Sequence, residues 1–267
     1  MTPLLALPVT VGSKEPHYIT EVYMQSLRET AVIADAEKLG EYATSELQAS
    51  RFFKALSAGQ LPLEMARQVF GQYYLWRNEF HRWFGVGIAR SKPFSTDSTT
   101  GDVLRILVHH ILEEIDGDHH GLCVRFLNAV GIEDPRRIAL LSSTERYIES
   151  FVRKFSDAST SSVEEVLAAL AGREMITPRR NQIMLDALRS HYGITRGLEF
   201  LILHVDLELE HFKVLWNPTT EFCLETKSRC LVRACQEIRN HRDFWDDTFD
   251  LVTSNADSHR DEPQASV

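Results

Sequence analysis

A chain of 267 residues has room for one large domain, or two small ones, with an ample core. Hydrophobic residues make up 43% and charged residues 25%, the balance of a globular chain. No apolar run approaches the roughly 18 residues that a membrane span needs, and the formal charge of −9 comes without a concentrated basic stripe. Nucleic acid and anionic membrane are therefore not expected partners.

In chain order, Met1–Pro8 is mildly apolar but lacks a basic n-region and is cut short by Pro8. It reads as part of a disordered arm over residues 1–18, not as a signal peptide. The helical period then dominates, without β-alternation. An amphipathic helix is expected from about Glu37 to Leu56, closed by Ser57-Ala58-Gly59. From Pro62 a long helix should run to about Arg90, carrying the aromatic stripe Tyr73, Tyr74, Trp76, Phe80, Trp83 and Phe84 as core. Further helices are predicted over about Thr100–Ile115, His119–Val130 and Pro135–Phe155, the last with proline suited to its first turn. Ser162 caps a helix that reaches Pro178, another covers Arg180–His191, and a third follows Gly193 to Trp216. A last helix, Thr219 to about Leu251, is read as packing and lid, before a disordered tail over residues 253–267. Short connections and the absence of repeats give a single all-α bundle.

The four cysteines, Cys123, Cys223, Cys230 and Cys235, show neither CxxC nor finger-like spacing with histidine. They read as reduced packing residues of a cytoplasmic protein, with Cys123 as a thiolate nucleophile the alternative.

The chemistry is concentrated in Phe200–Phe212. At about 100° per residue, His204, Glu208 and His211 lie within about 60° of one another, in the sector of Phe200, Leu201, Leu207 and Leu215. Asp206, Glu210 and Lys213 take the opposite face. Burying two imidazoles and a carboxylate without partners costs several kcal/mol, and a metal ion is the common partner for that set. Two other places repeat the oddity. In the stretch Ile111–Leu122, Glu114 ends one helix, and His119 shares the inward face of Leu122 and Phe126 in the next. Glu174 follows Leu167 by seven residues and Leu170 by four on an Ala-rich helix, where a salt bridge to Arg173 is the bland alternative. The inward set is thus Glu114, His119, Glu174, His204, Glu208 and His211, a number and type of ligand that suits two ferrous ions. No thiolate accompanies them, which disfavours structural zinc and iron–sulfur clusters.

The order of these motifs resembles the haem-oxygenase-like diiron oxidases and oxygenases, a superfamily that also holds the pyrroloquinoline-quinone synthase and thiaminase-type proteins. The resemblance covers about Ser50 to Trp216. It begins with Phe52–Leu61 and continues with Glu113-Glu114-x-x-Gly117, a histidine, Leu122 and Ala129-Val130-Gly131. Glu174 stands four residues before Pro178, and His204-x3-Glu208-x2-His211 matches the family's most specific motif. Counting from upstream favours His120 as the histidine and counting from downstream favours His119, which is taken here. Glu208 stands where several members have Asp. Neither the basic anion pocket of the quinone-synthase branch nor a thiaminase-type cysteine is matched.

The resemblance implies a haem-oxygenase-like bundle of about seven helices over residues 19–252, holding two Fe(II) per chain on those six residues, with O2 as co-substrate. It implies a biosynthetic oxidase for a small amine or amino-acid-derived compound, acting by N-oxygenation or by oxidative C–C cleavage or desaturation, with room for an external electron donor. Tyr73, Tyr74, Trp76 and Phe80 would roof the site, and Arg77 or Arg173 could hold a substrate carboxylate. Exposed faces of the aromatic helix leave a homodimer open. Two competing readings are a metal-free cofactor-synthesis or hydrolytic enzyme on the same scaffold, and a non-catalytic helical interaction protein.

Overall fold

The computed structural model describes residues 32, 34–91, 98–221 and 223–258, and every regular element among them is helical. Helix α1 runs through residues 34–49. It is followed by α2 (Arg51–Ser57), α3 (Leu63–Arg77), α4 (Phe80–Arg90), α5 (Ser98–Asp116) and α6 (His119–Ala129). Then come α7 (Ser142–Ser156), α8 (Val163–Tyr192), α9 (Glu199–Trp216) and α10 (Leu224–Ser258). Short 3-10 turns at Pro135–Arg137 and Asn217–Glu221 join α6 to α7 and α9 to α10.

Helix α8 is the axis, packed along its length against both α9 and α10. Its run Ala168-Ala169-Leu170-Ala171-Gly172 is buried throughout, and small side chains there let the neighbours come close. A Cβ on Gly172 would lie 2.5 Å from the carbonyl oxygen of Ala234 in α10, so this crossing needs glycine. A Ser162–Glu165 capping box starts α8, and Gly193 at φ 66° ends it. On the other side of the core, Phe52 stacks on Trp245 at 5.2 Å, and Tyr73 packs against the same indole at 5.4 Å.

Several boundaries differ from the sequence expectation, each for a local reason. The helix expected over 37–56 is two, because Ser50 stops being a helical residue and becomes a cap. Its hydroxyl accepts from the Phe53 amide at 3.3 Å and donates to Asp246 of α10 at 2.6 Å. The aromatic helix breaks at Asn78-Glu79 into α3 and α4. Pro135 opens a 3-10 turn, not α7, which starts at Ser142. Pro178 does not end α8: it only removes one N–H from the ladder, leaving the Glu174 carbonyl without its intrahelical donor. Helix α10 runs to Ser258, six residues into the expected tail, and the N-terminal arm lies outside the described residues.

The reversal between α5 and α6 brings two of the chemical residues together. Asp118 adopts the left-handed conformation at φ 51°, which Asp tolerates better than most residues. Its carboxylate accepts from the Gly121 amide at 3.2 Å and caps α6. Glu114 in the last turn of α5 thereby faces His119 in the first turn of α6. Among the described residues, exposed large hydrophobic side chains sit on α5 (Val108, Leu112, Ile115), on α9 (Ile202, Leu203, Leu209, Val214), on α10 (Leu224, Val232) and at Leu140 before α7, and none on the aromatic helices α3 and α4.

Candidate metal centre

Four helices converge on one buried spot and deliver all six of the residues singled out from the sequence. Glu114, His119 and His204 place ligand atoms within 4.8 Å of one another, and Glu174, Glu208 and His211 form a second such set. Glu114 also belongs to a third set with His110 and His211, so it faces both groups. His204 Nε2 lies 3.8 Å from Glu114 and 3.8 Å from Glu208, linking the two groups through its own ring. The i, i+4, i+7 spacing on α9 does what the helical wheel requires, since all three of its polar residues are buried. His119 is buried, while His120 is exposed and meets the Asn78 side chain at 3.3 Å.

The hydrogen bonds prepare these rings for a ligand. His204 Nδ1 donates to the Phe200 carbonyl at 2.7 Å, which leaves Nε2 as the free lone pair aimed between the carboxylates. His211 Nδ1 lies 2.9 Å from Glu208 Oε2, and its buried Nε2 has no hydrogen-bond partner. His119 Nδ1, 3.0 Å from Glu114 Oε1 but out of hydrogen-bond alignment, is also buried and unsatisfied. A buried polar atom left in this state costs about 1–3 kcal/mol, and a cation between the rings and carboxylates removes that cost. The donor set thus fits iron: imidazole nitrogens, carboxylates and no thiolate.

The carboxyls fall into two classes. Burial raises the Glu114 carboxyl, but His119, His204 and Arg77 outweigh it and hold the group well below the usual range. Glu174 is pushed well above that range by burial, then by the charge of Glu208 and a hydrogen bond to it. Burial pushes Glu208 up to about 7, although its contact with Glu174 pulls the other way. Both carboxyls are thereby drawn towards the protonated form, and an arriving cation must displace any proton they carry.

Three participants escaped the sequence reading. His110, four residues before Glu114 on the same face of α5, is 5% exposed, stacks on Phe84 at 4.4 Å and sits 3.6 Å from Glu174. Burial and the neighbouring His211 lower its pKa to about 3, so it presents a neutral ring. The i, i+4 spacing to Glu114 was the signal that could have found it. Arg180 of α8 and His241 of α10 also line the small cavity beside the carboxylates, of about 70 Å³, so α10 contributes more than packing.

Other expectations need correction. Tyr73, Trp76 and Phe80 wall that cavity, but Tyr74 turns away towards the His120 ring. Arg77 is committed to Glu114, and Arg173 pairs with Glu237 at 3.2 Å, not with Glu174. Cys123 is fully buried and its thiol is pushed up to about 12 by burial, which removes it as a nucleophile. Cys223 is exposed and lies just before α10, so it is not a packing residue.

A family model described as "Iron-containing redox enzyme" matches residues 67–246. No curated protein matches the chain. Among solved structures, a domain of unknown function with a heme oxygenase-like fold from Shewanella denitrificans superposes with a TM-score of 0.64 at 17% identity, covering 86% of this chain and 95% of that one. A CADD-like protein of unknown function from Nostoc punctiforme gives a TM-score of 0.65 at 16% identity, over 82% and 99% of the two chains. A TenA homolog from Pseudomonas syringae pv. tomato gives 0.63 at 12%, over 85% and 93%. At such identities these likenesses establish the shared fold.

Proposed function

The chain belongs to the iron-containing redox enzyme family, and on that premise we propose that it is a non-haem diiron oxidase or oxygenase acting on a small molecule. The observation that carries this reading is the pair of adjacent buried triads, Glu114/His119/His204 and Glu174/Glu208/His211, in which the buried nitrogens His119 Nδ1 and His211 Nε2 make no hydrogen bond. One ion would sit on each triad. Glu114 faces both, and His110 is placed to serve as an added donor beside His211 and Glu174. Two ferrous ions held there would supply the electrons and open coordination positions for reaction with O2.

The chain's own residues prepare the site in distinct ways. Phe200, through its carbonyl, fixes the His204 ring and its tautomer. Arg77 holds the Glu114 Oε2 atom, leaving Oε1 towards His119 and His204. Glu174 and Glu208 lose any proton they carry as metal enters, which frees both carboxylates for the ions. The walls of Tyr73, Trp76, Phe80 and Phe84 keep bulk water from the reacting atoms. The substrate occupies the cavity beside them, and the family resemblance favours an amine or amino-acid-derived compound, oxidised at nitrogen or cleaved or desaturated at carbon.

Anaerobic loading with Fe(II), desalting and metal analysis test the proposal. About two irons per chain are expected, with O2 uptake on exposure to air. His211→Ala should retain at most one. A folded wild-type protein that keeps no iron overturns the proposal in favour of a metal-free enzyme.

A further inference from the structure

Glu113 precedes Glu114 in α5 and belongs to neither inner triad, yet it reaches the metal residues from the protein surface. Its side chain is 42% exposed, and its two carboxylate oxygens meet imidazoles in opposite settings. Oε1 lies 3.6 Å from Nε2 of His109, one turn back on α5 and 68% exposed. Oε2 lies 3.5 Å from Nε2 of His211, whose side chain is 5% exposed. One carboxylate thus spans from a surface histidine to a histidine of the buried centre.

The buried end of this bridge is unsatisfied. His211 Nε2 is shut off from solvent and makes no hydrogen bond, while the same ring belongs to the sets with Glu174 and Glu208 and with His110 and Glu114. The exposed end is uncommitted as well. Among the described residues Glu113 pairs with no lysine or arginine, whereas Glu210, next to His211 in α9, is held by Lys213 at 2.6 Å. A carboxylate between two imidazoles offers the nitrogen and oxygen donors that divalent metals take, on a chain whose net charge of −9 draws cations. The three donors do not converge as the inner triads do, because His109 and His211 meet different oxygens. Such a place holds an ion weakly, by one imidazole and one carboxylate oxygen at a time. The cavity is the poorer approach for a dication, since Arg77, Arg173 and Arg180 line it.

We propose that His109 and Glu113 form an outer metal-binding station, through which divalent cations pass to His211 and so fill the centre. The proposal rests on the reading of the six inner residues as a metal site and adds the route by which that site is loaded. His109 and Glu113 Oε1 take the ion from water, Glu113 Oε2 hands it to His211 Nε2, and Glu174 and Glu208 then replace Glu113. The inner set offers more carboxylates than the station, which sets the direction of transfer, and a station that binds weakly lets the ion go on.

The test is anaerobic stopped-flow mixing of the metal-free full chain with Co(II). Visible absorption reads the rate of filling, and metal analysis after desalting reads the final content. Glu113→Gln should fill at least tenfold more slowly than the wild type and reach the same content. His109→Gln should fill about threefold more slowly, and it decides the matter should Glu113→Gln fail to fold. Glu113→Asp, which keeps the carboxylate on a shorter stem, should fill faster than Glu113→Gln. Filling rates unchanged in these variants overturn the proposal and leave the inner centre standing. A lower final content reached at the wild-type rate also overturns it, since Glu113 would then be a ligand of the filled centre. A wild-type chain that takes up no Co(II) removes the centre and the route together.

Discussion

His119 and His120 are adjacent in sequence and opposite in environment, which makes them the sharpest comparison at the scale of single residues. His119 is buried between Glu114 and the His204 ring, 4.8 Å away, while His120 is exposed beside Asn78. Replacing His119 with Ala should cost tenfold to a hundredfold in affinity for one of the two ions, and His120→Ala should cost less than twofold. Titration with Co(II), followed by its visible absorption, reads both; equal effects would contradict the assignment. Spacing alone left this pair open, because a helix junction has no fixed register on its upstream side. The left-handed Asp118 sets that register, and nothing in the sequence beyond an Asp after Gly announces such a turn. Glu208 and His211 were legible for the opposite reason: they lie inside one uninterrupted helix, where the 3.6-residue period fixes direction. His110 lies away from the helix junction that flags Glu114 and His119, and only its helical spacing to Glu114 places it on the inward face.

Elements were legible where the period ran unbroken and misjudged where a tertiary partner decided the boundary. Ser50 ends α1 because Asp246, 196 residues away, receives its hydroxyl. Pro178 was expected to divide two helices, yet α8 continues through it, since packing against α9 and α10 outweighs one lost backbone hydrogen bond. The small-residue run of α8 was visible in the sequence as a close-packing surface, and Gly172 is where the approach to α10 is tightest. Gly172→Ala should therefore destabilise the protein by about 1–3 kcal/mol through overpacking, although alanine is the better helix former. For a chain of this size that corresponds to roughly 2–4 °C of melting temperature per kcal/mol. An unchanged or higher melting temperature would show that α10 yields without cost.

At the scale of the whole molecule, six helices, α3, α4, α5, α8, α9 and α10, enclose one cavity lined by arginines, aromatic rings and the carboxylates and imidazoles of the candidate site. No helix among the described residues is long and apolar enough to cross a membrane. The binding of metal to this interior should depend on pH in a defined sense. Burial raises the Glu208 carboxyl to about 7, so below that pH a proton occupies a site the cation needs. Co(II) affinity should then fall at least tenfold per pH unit as pH drops from 7 towards 5.5. His110, neutral down to about 3, adds nothing to that slope. Affinity constant over pH 5.5–8 would mean that the carboxyls do not bind the ion.

In the proposed diiron centre two metal ions lie side by side, one on Glu114, His119 and His204 and one on Glu174, Glu208 and His211. A crystal structure of anaerobically iron-loaded protein, with anomalous scattering recorded on both sides of the iron edge, decides whether both ions are there. Two anomalous peaks, each against one of the triads, with Glu114 facing both, are the result predicted. A single peak shared by all six residues, or an iron-free cluster closed by hydrogen bonds among its own side chains, would contradict it.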